Sequence, residues 1–277
     1  MANPEYCAMV SVIIPFQKNH NFLEEACLSV INQTYVEWIA VLVEDNADFQ
    51  SMEIAAKYIT LDSRFKLINS GRKKSDAPGP WLARNQALKE IQSYYVSFLD
   101  SDDIWHPKKL ELQIKYCQEN NLDLCTTSYI RFNCRNKRII ELRTPPAIIR
   151  KSDIFPVNKV PLSSALIRHE ILSDSKFRGI PHEDQNLWFQ IFSTHRYLKA
   201  GNLNKVLMAY RIHKNNYTKG IKTKLSLKLS SLMHYKQHNL ARILYYCTIA
   251  YLRYSISKCC WRFQVKKTYD FGFLQEK

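Results

Sequence analysis

Three carboxylates in four positions make one segment of this 277-residue chain the best candidate for chemistry. Asp100, Asp102 and Asp103 directly follow residues 94–99, whose apolar and aromatic run predicts a buried strand. Like charges packed so closely at a strand end are costly unless a cation neutralises them. Hard oxygen ligands of this type favour Mg²⁺ or Mn²⁺, and such ions commonly clamp a diphosphate. The alternative is an acidic turn in which Asp103 is the N-cap of the next helix.

A proline and two acidic residues lie at the ends of two earlier predicted strands. Pro15 ends the β-branched run 10–15, and Glu44 and Asp45 follow the apolar run 38–43. Strand and helix alternate along this part of the chain, so we expect an α/β fold with a mostly parallel sheet and helices on both faces. Ligands in such sheets bind beyond the carboxyl ends of the strands. The other predicted strands are 65–69, 122–128 and 163–168, and the predicted helices are 21–33, 51–58, 81–91, 107–119 and 185–192.

The composition is that of a globular protein with one large domain, or one domain plus an appendage. Apolar residues make up 46% of the chain and charged residues 23%. The eight cysteines form no Cys-x-x-Cys pair, so zinc is not expected and the thiols suit a reducing cytosol. No basic-then-apolar leader is evident before the first strand, and the late apolar run 243–252 is too short to span a bilayer.

Positive charge is concentrated in the last part of the sequence. Residues 205–277 hold fifteen Lys and Arg against Asp270 and Glu276, a net charge of +13, whereas the first 204 residues have a net charge of +2. From about residue 221 apolar residues recur at helical spacing, which is typical of a segment lying on an anionic membrane surface. A solvated helical face packed on the rest of the protein is the alternative. Nucleic acid is not an expected partner, because no recognition motif is present.

Seven segments, taken together and in their order, resemble the inverting, metal-dependent family-two glycosyltransferases of the GT-A fold. They are Val10–Pro15, Ser29–Tyr35, Val43–Asn46, Ala83–Asn85, Phe98–Pro107, His182–Trp188 and Ala209–His213. The resemblance covers residues 8–218. It implies a GT-A-like catalytic domain at 1–220, with a nucleotide-sugar half at 8–105 and an acceptor half at 106–220. A basic amphipathic helical extension is expected at 221–277.

Three departures from the family pattern are visible. The Asp-Asp-Gly-Ser that usually follows the second strand is replaced by Glu44–Ala47, so we expect a nucleotide contact that differs in detail. The stretch before Ala83 contains Arg72–Lys74 and Pro78–Pro80, which predicts a longer or stiffer loop. No Gln-x-x-Arg-Trp sequence occurs, which argues against a processive polysaccharide synthase.

The resemblance assigns the metal and donor residues one by one. Asp102, assisted by Asp100, is expected to hold Mn²⁺ or Mg²⁺ on the diphosphate. His213 is expected to be a third metal ligand or to donate a hydrogen bond to a phosphate. Asp103 is expected to order the loop or cap the helix. The residues expected to contact the nucleotide sugar are Pro15, Glu44, Asp45, Arg84, Asp100 and Ser101.

Two further assignments concern charged groups with a choice of partners. Arg84 is expected to pair with Asp45 or a phosphate, with a plain structural ion pair as the alternative. Asp184 is the expected general base and Glu183 its alternative, since a base opposite the leaving group favours single displacement with inversion. Two acids at a helix start are also explained by the helix macrodipole alone.

The resemblance implies a non-processive enzyme that moves a sugar from a nucleotide-diphosphate sugar, with a UDP-sugar favoured, to a glycan or lipid-linked acceptor. The expected product is a bacterial lipopolysaccharide, lipooligosaccharide or capsule, and the expected location is cytoplasmic, peripheral on the inner face of the cytoplasmic membrane. A nucleotidyltransferase is the alternative enzyme, although Phe16–Asn19 is not a glycine-rich phosphate loop. A catalytically silent membrane-associated binding module is the alternative from another class.

Overall fold

The computed structural model describes residues 8–18, 20–154 and 158–213, together with Thr248. Within these residues the chain forms nine strands and six α-helices. The strands are β1 Ala8–Phe16, β2 Trp38–Glu44, β3 Phe65–Asn69, β4 Ser93–Phe98, β5 Ile104–Trp105, β6 Leu124–Asn133, β7 Ile139–Arg143, β8 Leu166–Arg168 and β9 Ala200–Ile212. The helices are α1 His20–Ile31, α2 Phe49–Leu61, α3 Trp81–Glu90, α4 Lys109–Asn120, α5 Lys151–Ile154 and α6 Glu183–Thr194.

These strands join one sheet. Its order is β3-β2-β1-β4-β8-β6-β9-β5, and β7 pairs with β6 outside this path. Strands β3, β2, β1 and β4 are parallel neighbours, as the alternation of strand and helix requires, and β6 is parallel to β9. The antiparallel pairs involve the later strands, where β8 lies between β4 and β6 and β5 lies along β9. The expected α/β fold, with helices flanking a mostly parallel sheet, is confirmed.

Two hydrophobic layers cover the two faces of the sheet. Because side chains alternate along β1, this strand contributes residues to both layers. Val10, Val12 and Ile14 are fully buried in the layer that includes α1, α2 and α4. Ile13, which points to the opposite face, is fully buried in the layer that includes α3 and α6. Each such side chain contributes roughly 1.5–3 kcal/mol relative to an exposed position. The two layers fix β1 and β4 at the centre of the sheet.

The elements predicted for the first 120 residues are found with small shifts at their ends, but one expectation about them is wrong. Asp103 does not cap the next helix, because α4 begins only at Lys109 and its N-cap Lys108 makes no side-chain cap. Ile104 and Trp105 instead form β5 against β9. Strands β5, β7 and β9 were not predicted from the sequence.

The predicted basic extension at 221–277 lies outside the described residues, apart from Thr248. One sheet runs through both halves of the proposed catalytic domain, and the division at residues 105 and 106 stays a prediction. No helix in the described part of the chain combines the length and the hydrophobicity needed to cross a membrane.

Candidate active site

The carboxyl ends of β1, β2 and β4 meet at one edge of the sheet. In the register of β1 and β2, Phe16 lies beside Glu44, and the N–H of Asp45 donates to the Phe16 carbonyl over 3.0 Å. On the other side of β1, strand β4 ends at Phe98, just before the acidic segment. Pro15 lies one residue inside the end of β1. The structure therefore brings these strand-end residues together, as the alternation of strand and helix predicts.

The acidic residues after β4 form a tight turn. The N–H of Asp103 donates to the carbonyl of Asp100 over 2.9 Å, with Ser101 buried between them. Carboxylate oxygens of Asp100, Asp102 and Asp103 lie within 4.8 Å of one another. Burial, with the charges of Asp102 and Asp100, raises the pKa of Asp103 well above its usual range. Burial also raises the pKa of Asp100, and the Asp102 carboxylate acts in the same direction.

Two residues at the end of β9 hold this turn. The N–H of Arg211 donates to Oδ1 of Asp103 over 3.2 Å, and its Nε donates to the Asp102 carbonyl over 2.8 Å. Nη2 of Arg211 pairs with Glu25 on α1. Nε2 of His213 lies 2.8 Å from Oδ2 of Asp102. These contacts fit the expectation that Asp103 orders the loop, and they place His213 directly beside Asp102.

Arg84 connects the acidic turn to the start of α6. Its side chain, carried by α3, is 4% exposed, and its Nη2 lies 2.6 Å from Oδ1 of Asp100. Nη1 pairs with Oε1 of Glu183, and the guanidinium lies 5.2 Å from the centre of the Phe177 ring. The expectation that Arg84 pairs with Asp45 is wrong, because two other acids occupy its guanidinium. The observed contacts match the alternative of a structural ion pair.

Arg72 is the cation beside Asp45, a pairing that was not predicted from the sequence. Nε of Arg72 lies 2.6 Å from Oδ1 of Asp45, and Nη2 lies 3.0 Å from Oδ2. Both side chains are buried. The available signal was the basic run Arg72–Lys74 in a loop that departs from the family pattern. Its position after β3, which neighbours β2, puts it near the end of β2.

The carboxylate of Glu44 is hydrogen-bonded to residues that follow β2 and end β3. Oε1 accepts a hydrogen bond from the N–H of Ala47 over 2.7 Å, and Oε2 accepts one from Asn69. Asn46, which stands where the family pattern has glycine, adopts φ 59°. Asparagine tolerates this left-handed conformation better than most residues, so the departure keeps the turn. A contact between Glu44 and a nucleotide stays a prediction.

Glu183 and Asp184 open α6, and their carboxylates have different partners. Glu183 is held by Arg84, and burial raises its pKa to about 7, with Arg84 opposing the rise and Asp184 adding to it. Oδ2 of Asp184 accepts a hydrogen bond from Nδ2 of Asn158 over 2.9 Å. A cation therefore fixes Glu183, whereas a neutral amide orients the half-buried Asp184.

The donor atoms at the turn fit a divalent cation that prefers oxygen. Asp100, Asp102 and Asp103 supply carboxylate oxygens close enough to share one ion, and His213 adds an imidazole nitrogen beside Asp102. Burial, and after it the neighbouring carboxylates, raise the pKa of Asp100 and of Asp103, so negative charge at this turn is unfavourable without a cation. Which of these side chains contact an ion stays a prediction.

A curled α/β sheet with acids gathered at its carboxyl edge defines the class of GT-A-type glycosyltransferases, and comparisons with known proteins agree. The family model described as Glycosyl transferase family 2 matches residues 11–199, which is more than half of the chain. The protein belongs to glycosyl transferase family 2.

Relatives with similar sequences carry glycosyltransferase names. The UDP-Glc:alpha-D-GlcNAc-diphosphoundecaprenol beta-1,3-glucosyltransferase WfgD of Escherichia coli is 27% identical over 241 residues, covering 86% of this chain and 90% of WfgD. The O-antigen biosynthesis glycosyltransferase WbnJ of Escherichia coli is 25% identical and covers 76% of this chain and 82% of its own. An uncharacterized glycosyltransferase of Rickettsia bellii is 31% identical and covers 84% of this chain, which spans only 33% of that longer protein.

Solved structures show the same fold. The S. aureus protein TarS (residues 1–349), crystallised with UDP-GlcNAc, has a TM-score of 0.63 at 18% identity and covers 80% of this chain and 66% of its own. The mannosyltransferase PcManGT from Pyrobaculum calidifontis, solved with GDP-Man and Mn²⁺, has a TM-score of 0.62 at 13% identity and covers 86% of this chain and 67% of its own. The expected GT-A fold is confirmed.

Family membership also decides between the classes of function considered from the sequence. The protein is a glycosyltransferase, and the alternatives of a nucleotidyltransferase and of a silent binding module are set aside.

Proposed function

We propose that this glycosyltransferase moves a sugar from a nucleotide-diphosphate sugar to a glycan or lipid-linked acceptor by metal-dependent, inverting displacement. The observation that carries the proposal is the arrangement around Arg84, whose guanidinium contacts Asp100 of the acidic turn and Glu183 of α6. Arg84 thereby joins the acidic turn, which is proposed to hold the cation that neutralises the diphosphate, to the start of α6, which carries the proposed base Asp184. Glycosyl transfer from a nucleotide sugar requires both.

The acidic turn is the proposed site of the leaving group. Asp102 and Asp100, with His213 beside Asp102, would hold Mn²⁺ or Mg²⁺, which supplies charge neutralisation for the departing diphosphate. Pro15 and Asp45 lie one strand and two strands away from this turn, on the side proposed for the nucleoside. A UDP-sugar is the favoured donor, and the UDP-Glc in the name of WfgD and the UDP-GlcNAc bound by TarS support this choice.

Asp184 is the proposed general base. The acceptor hydroxyl transfers its proton to an Asp184 carboxylate oxygen as the acceptor oxygen bonds to the anomeric carbon. The bond from that carbon to the diphosphate oxygen breaks at the same time, so the nucleoside diphosphate leaves with its electron pair and the configuration inverts. Support for this choice is that Glu183 already pairs with Arg84, whereas Asp184 accepts a hydrogen bond only from a neutral amide among the described contacts.

The proposed acceptor is a lipid-linked or growing surface glycan of the lipopolysaccharide, lipooligosaccharide or capsule type. WfgD is named for a diphosphoundecaprenol-linked acceptor, and WbnJ for O-antigen biosynthesis. The net charge of +13 in residues 205–277 suits an enzyme held peripherally at an anionic membrane, where such acceptors are anchored. The membrane contact, the cytoplasmic side and the absence of a nucleic-acid partner remain proposals.

A donor screen tests the proposal. Purified protein is incubated with UDP-, GDP- and dTDP-sugars, with Mn²⁺, Mg²⁺ or EDTA, and the released nucleoside diphosphate is measured. We expect release from at least one UDP-sugar that EDTA abolishes and Mn²⁺ restores, and that increases when a diphospholipid-linked sugar is added. The anomeric configuration of the product, read by NMR, tests inversion. Release that is unaffected by EDTA would contradict the metal dependence.

A further inference from the structure

Two arginines of the β6–β7 hairpin share one carboxylate. Nη1 of Arg131 lies 2.7 Å from Oε2 of Glu141, and Nη2 of Arg143 pairs with Oε1 of the same side chain. Glu141 is only 13% exposed, whereas the two arginines are 30% and 39% exposed. Nε of Arg143 is buried and has no hydrogen-bond partner among the described residues. Because two cations with one acid leave a net positive charge, and a guanidinium has several N–H donors, the pair can bind a further anion.

These side chains lie in a row with Tyr210 on one face of the sheet. Arg131 is paired with Glu141 on β7 and with Tyr210 on β9, and residues directly opposite each other on neighbouring strands share a face. Arg143 lies two residues after Glu141 on β7 and is therefore on the same face. The guanidinium of Arg131 lies 5.7 Å from the centre of the Tyr210 ring. We call Arg131, Glu141, Arg143 and Tyr210 the arginine row.

The arginine row lies beside the acidic turn. Tyr210 directly precedes Arg211, whose backbone N–H and Nε donate to Asp103 and to the Asp102 carbonyl. Burial raises the pKa of the Tyr210 hydroxyl, and the carboxylates of Asp103 and Asp102 raise it further. The row and the turn are therefore neighbours at the proposed site of sugar transfer.

The β6–β7 hairpin is also more basic than the rest of the described chain. Residues 131–143 contain five Lys and Arg against Glu141, whereas the first 204 residues together have a net charge of +2. Arg135 and Arg138, in the turn of the hairpin, are exposed and form no ion pair with another described residue. An anion that approaches the acidic turn from this side therefore meets a positive surface. Arginine suits phosphate in particular, because its planar fork donates two parallel hydrogen bonds to phosphate oxygens.

We propose that Arg131 and Arg143 bind the diphosphate of a lipid-linked acceptor. In a sugar that is linked directly to a diphosphate, the phosphates lie one sugar ring away from the hydroxyl groups, so a diphosphate site has to neighbour the transfer site. The carboxylates of the acidic turn repel these phosphates, and the two arginines offset that repulsion. This inference rests on the proposed function, because it takes the acceptor sugar to be linked to its lipid through a diphosphate.

The test measures the binding of dodecyl diphosphate to the protein saturated with UDP and Mn²⁺. Calorimetry is carried out in dodecyl maltoside without anionic lipid, so that neither the alkyl chain alone nor a lipid headgroup accounts for the binding. We expect Arg131→Met and Arg143→Met each to bind dodecyl diphosphate about tenfold more weakly than the wild type, because each loses charge-assisted hydrogen bonds. UDP affinity and the melting temperature, measured in parallel, should stay close to the wild-type values. Arg131→Lys and Arg143→Lys should keep only part of the affinity, because lysine retains the charge without the fork.

The matched control is Arg138→Met, an exposed arginine of the same hairpin, which should bind dodecyl diphosphate like the wild type. An equal loss in this control would overturn the inference, because the hairpin would then act only through its overall charge. Wild-type affinity for dodecyl diphosphate in a folded Arg131→Met or Arg143→Met protein would also overturn it. If a methionine variant does not fold, the lysine variant at that position decides by the same criterion.

UDP affinity separates this inference from the proposed function. A marked loss of UDP affinity in Arg131→Met or Arg143→Met would overturn the inference, because the arginines would then serve the donor diphosphate. A wild-type protein that binds UDP but not dodecyl diphosphate overturns the inference and leaves the proposed function standing. A wild-type protein that binds no nucleoside diphosphate contradicts the proposed function on which the inference rests, so UDP is titrated first.

Discussion

Nη2 of Arg84 lies 2.6 Å from Oδ1 of Asp100, and Nη1 of the same guanidinium pairs with Glu183. The first acid follows β4 and the second opens α6, so one cation connects two elements that are distant in sequence. Arg84 is 4% exposed, and its charge is therefore stabilised by these carboxylates rather than by water. This side chain links the acidic turn to the start of α6, where the proposed base Asp184 follows Glu183.

Replacing Arg84 should cost both stability and donor binding. In Arg84→Met the two acids lose their common cation, and we expect a loss on the order of 3 kcal/mol in the free energy of unfolding. Arg84→Lys keeps the charge but not the fork, so it should be more stable than Arg84→Met and still bind UDP weakly. Urea unfolding and calorimetry measure the two effects. The control is Lys57→Met, which removes an exposed ion pair and should lower the free energy of unfolding by less than about 1 kcal/mol. If Arg84→Met lowers the free energy of unfolding by no more than Lys57→Met does, the stabilising role of Arg84 is contradicted.

Asp184→Asn should separate binding from transfer. The variant keeps the shape of the side chain and its contact with Asn158, but an amide cannot accept the acceptor proton. We expect unchanged UDP affinity and transfer reduced by about 10²-fold or more. Glu183→Gln is the companion variant. An active Asp184→Asn enzyme beside an inactive Glu183→Gln enzyme would reassign the base to Glu183.

The positions of the strand-end residues could be predicted, because they follow from local pattern alone. Apolar runs of strand length alternate with amphipathic helices, and parallel strands bring Pro15, Asp45 and Asp100 to one edge. The seven segments that resemble the family, taken in their order along the chain, then indicated the family. Short strands are harder to predict, and β5 exists only because Ile104 and Trp105 pair with β9, about a hundred residues later in the chain.

The ion pairs could not be predicted, because a sequence does not show which cation reaches which acid. Asp45 had Arg84 as its expected partner, and the loop after β3 instead places Arg72 there. Arg84, on α3, reaches Asp100 and Glu183. Both pairings depend on where the tertiary structure places the loop after β3 and the helix α3. Neither has a periodic signal in the sequence.

Lys109 is a buried cation outside the proposed site. Its Nζ donates to Oε1 of Gln113 over 2.7 Å and to Oγ of Ser97 over 3.4 Å, and it lies 3.9 Å from the centre of the Trp105 ring. Burial lowers the pKa of Lys109 from its ordinary value of 10.5 to about 7. Between these values the unfolded chain binds the proton and the folded chain does not. The contribution of Lys109 to stability therefore becomes more favourable as the pH rises through this window.

Lys109→Met should remove this dependence on pH. We expect the unfolding free energy of the wild type, measured relative to the variant by urea unfolding, to rise by on the order of 2 kcal/mol from pH 7 to pH 9. Lys115→Met, on the exposed side of the same helix, is the control and should show no such trend. A difference between wild type and Lys109→Met that stays constant over this range would refute the burial argument.

Deleting residues 221–277 should release the protein from membranes more than it harms nucleotide binding. The motivation is the net charge of +13 in residues 205–277, and each basic group near an anionic surface contributes about 1 kcal/mol. Co-sedimentation with vesicles of graded anionic lipid content measures the effect, with UDP affinity as the check on folding. Binding should weaken in high salt, because exposed charges are screened. Vesicle binding that depends neither on lipid charge nor on the deletion would contradict this prediction. It would favour the alternative in which residues 221–277 form a solvated helical face packed on the rest of the protein.

The most direct test of the central claim is Mn²⁺-dependent UDP binding by the Asp102→Asn protein, measured by calorimetry. Asp102 is the proposed principal ligand of the ion, with His213 beside it, and the substitution removes a charge that the cation requires. Asp174→Asn, the same change at an exposed acid, is the control and should match the wild type. We expect Asp102→Asn to fold like the wild type and to bind UDP no better with Mn²⁺ than with EDTA. Unchanged Mn²⁺-dependent UDP affinity in Asp102→Asn would contradict it.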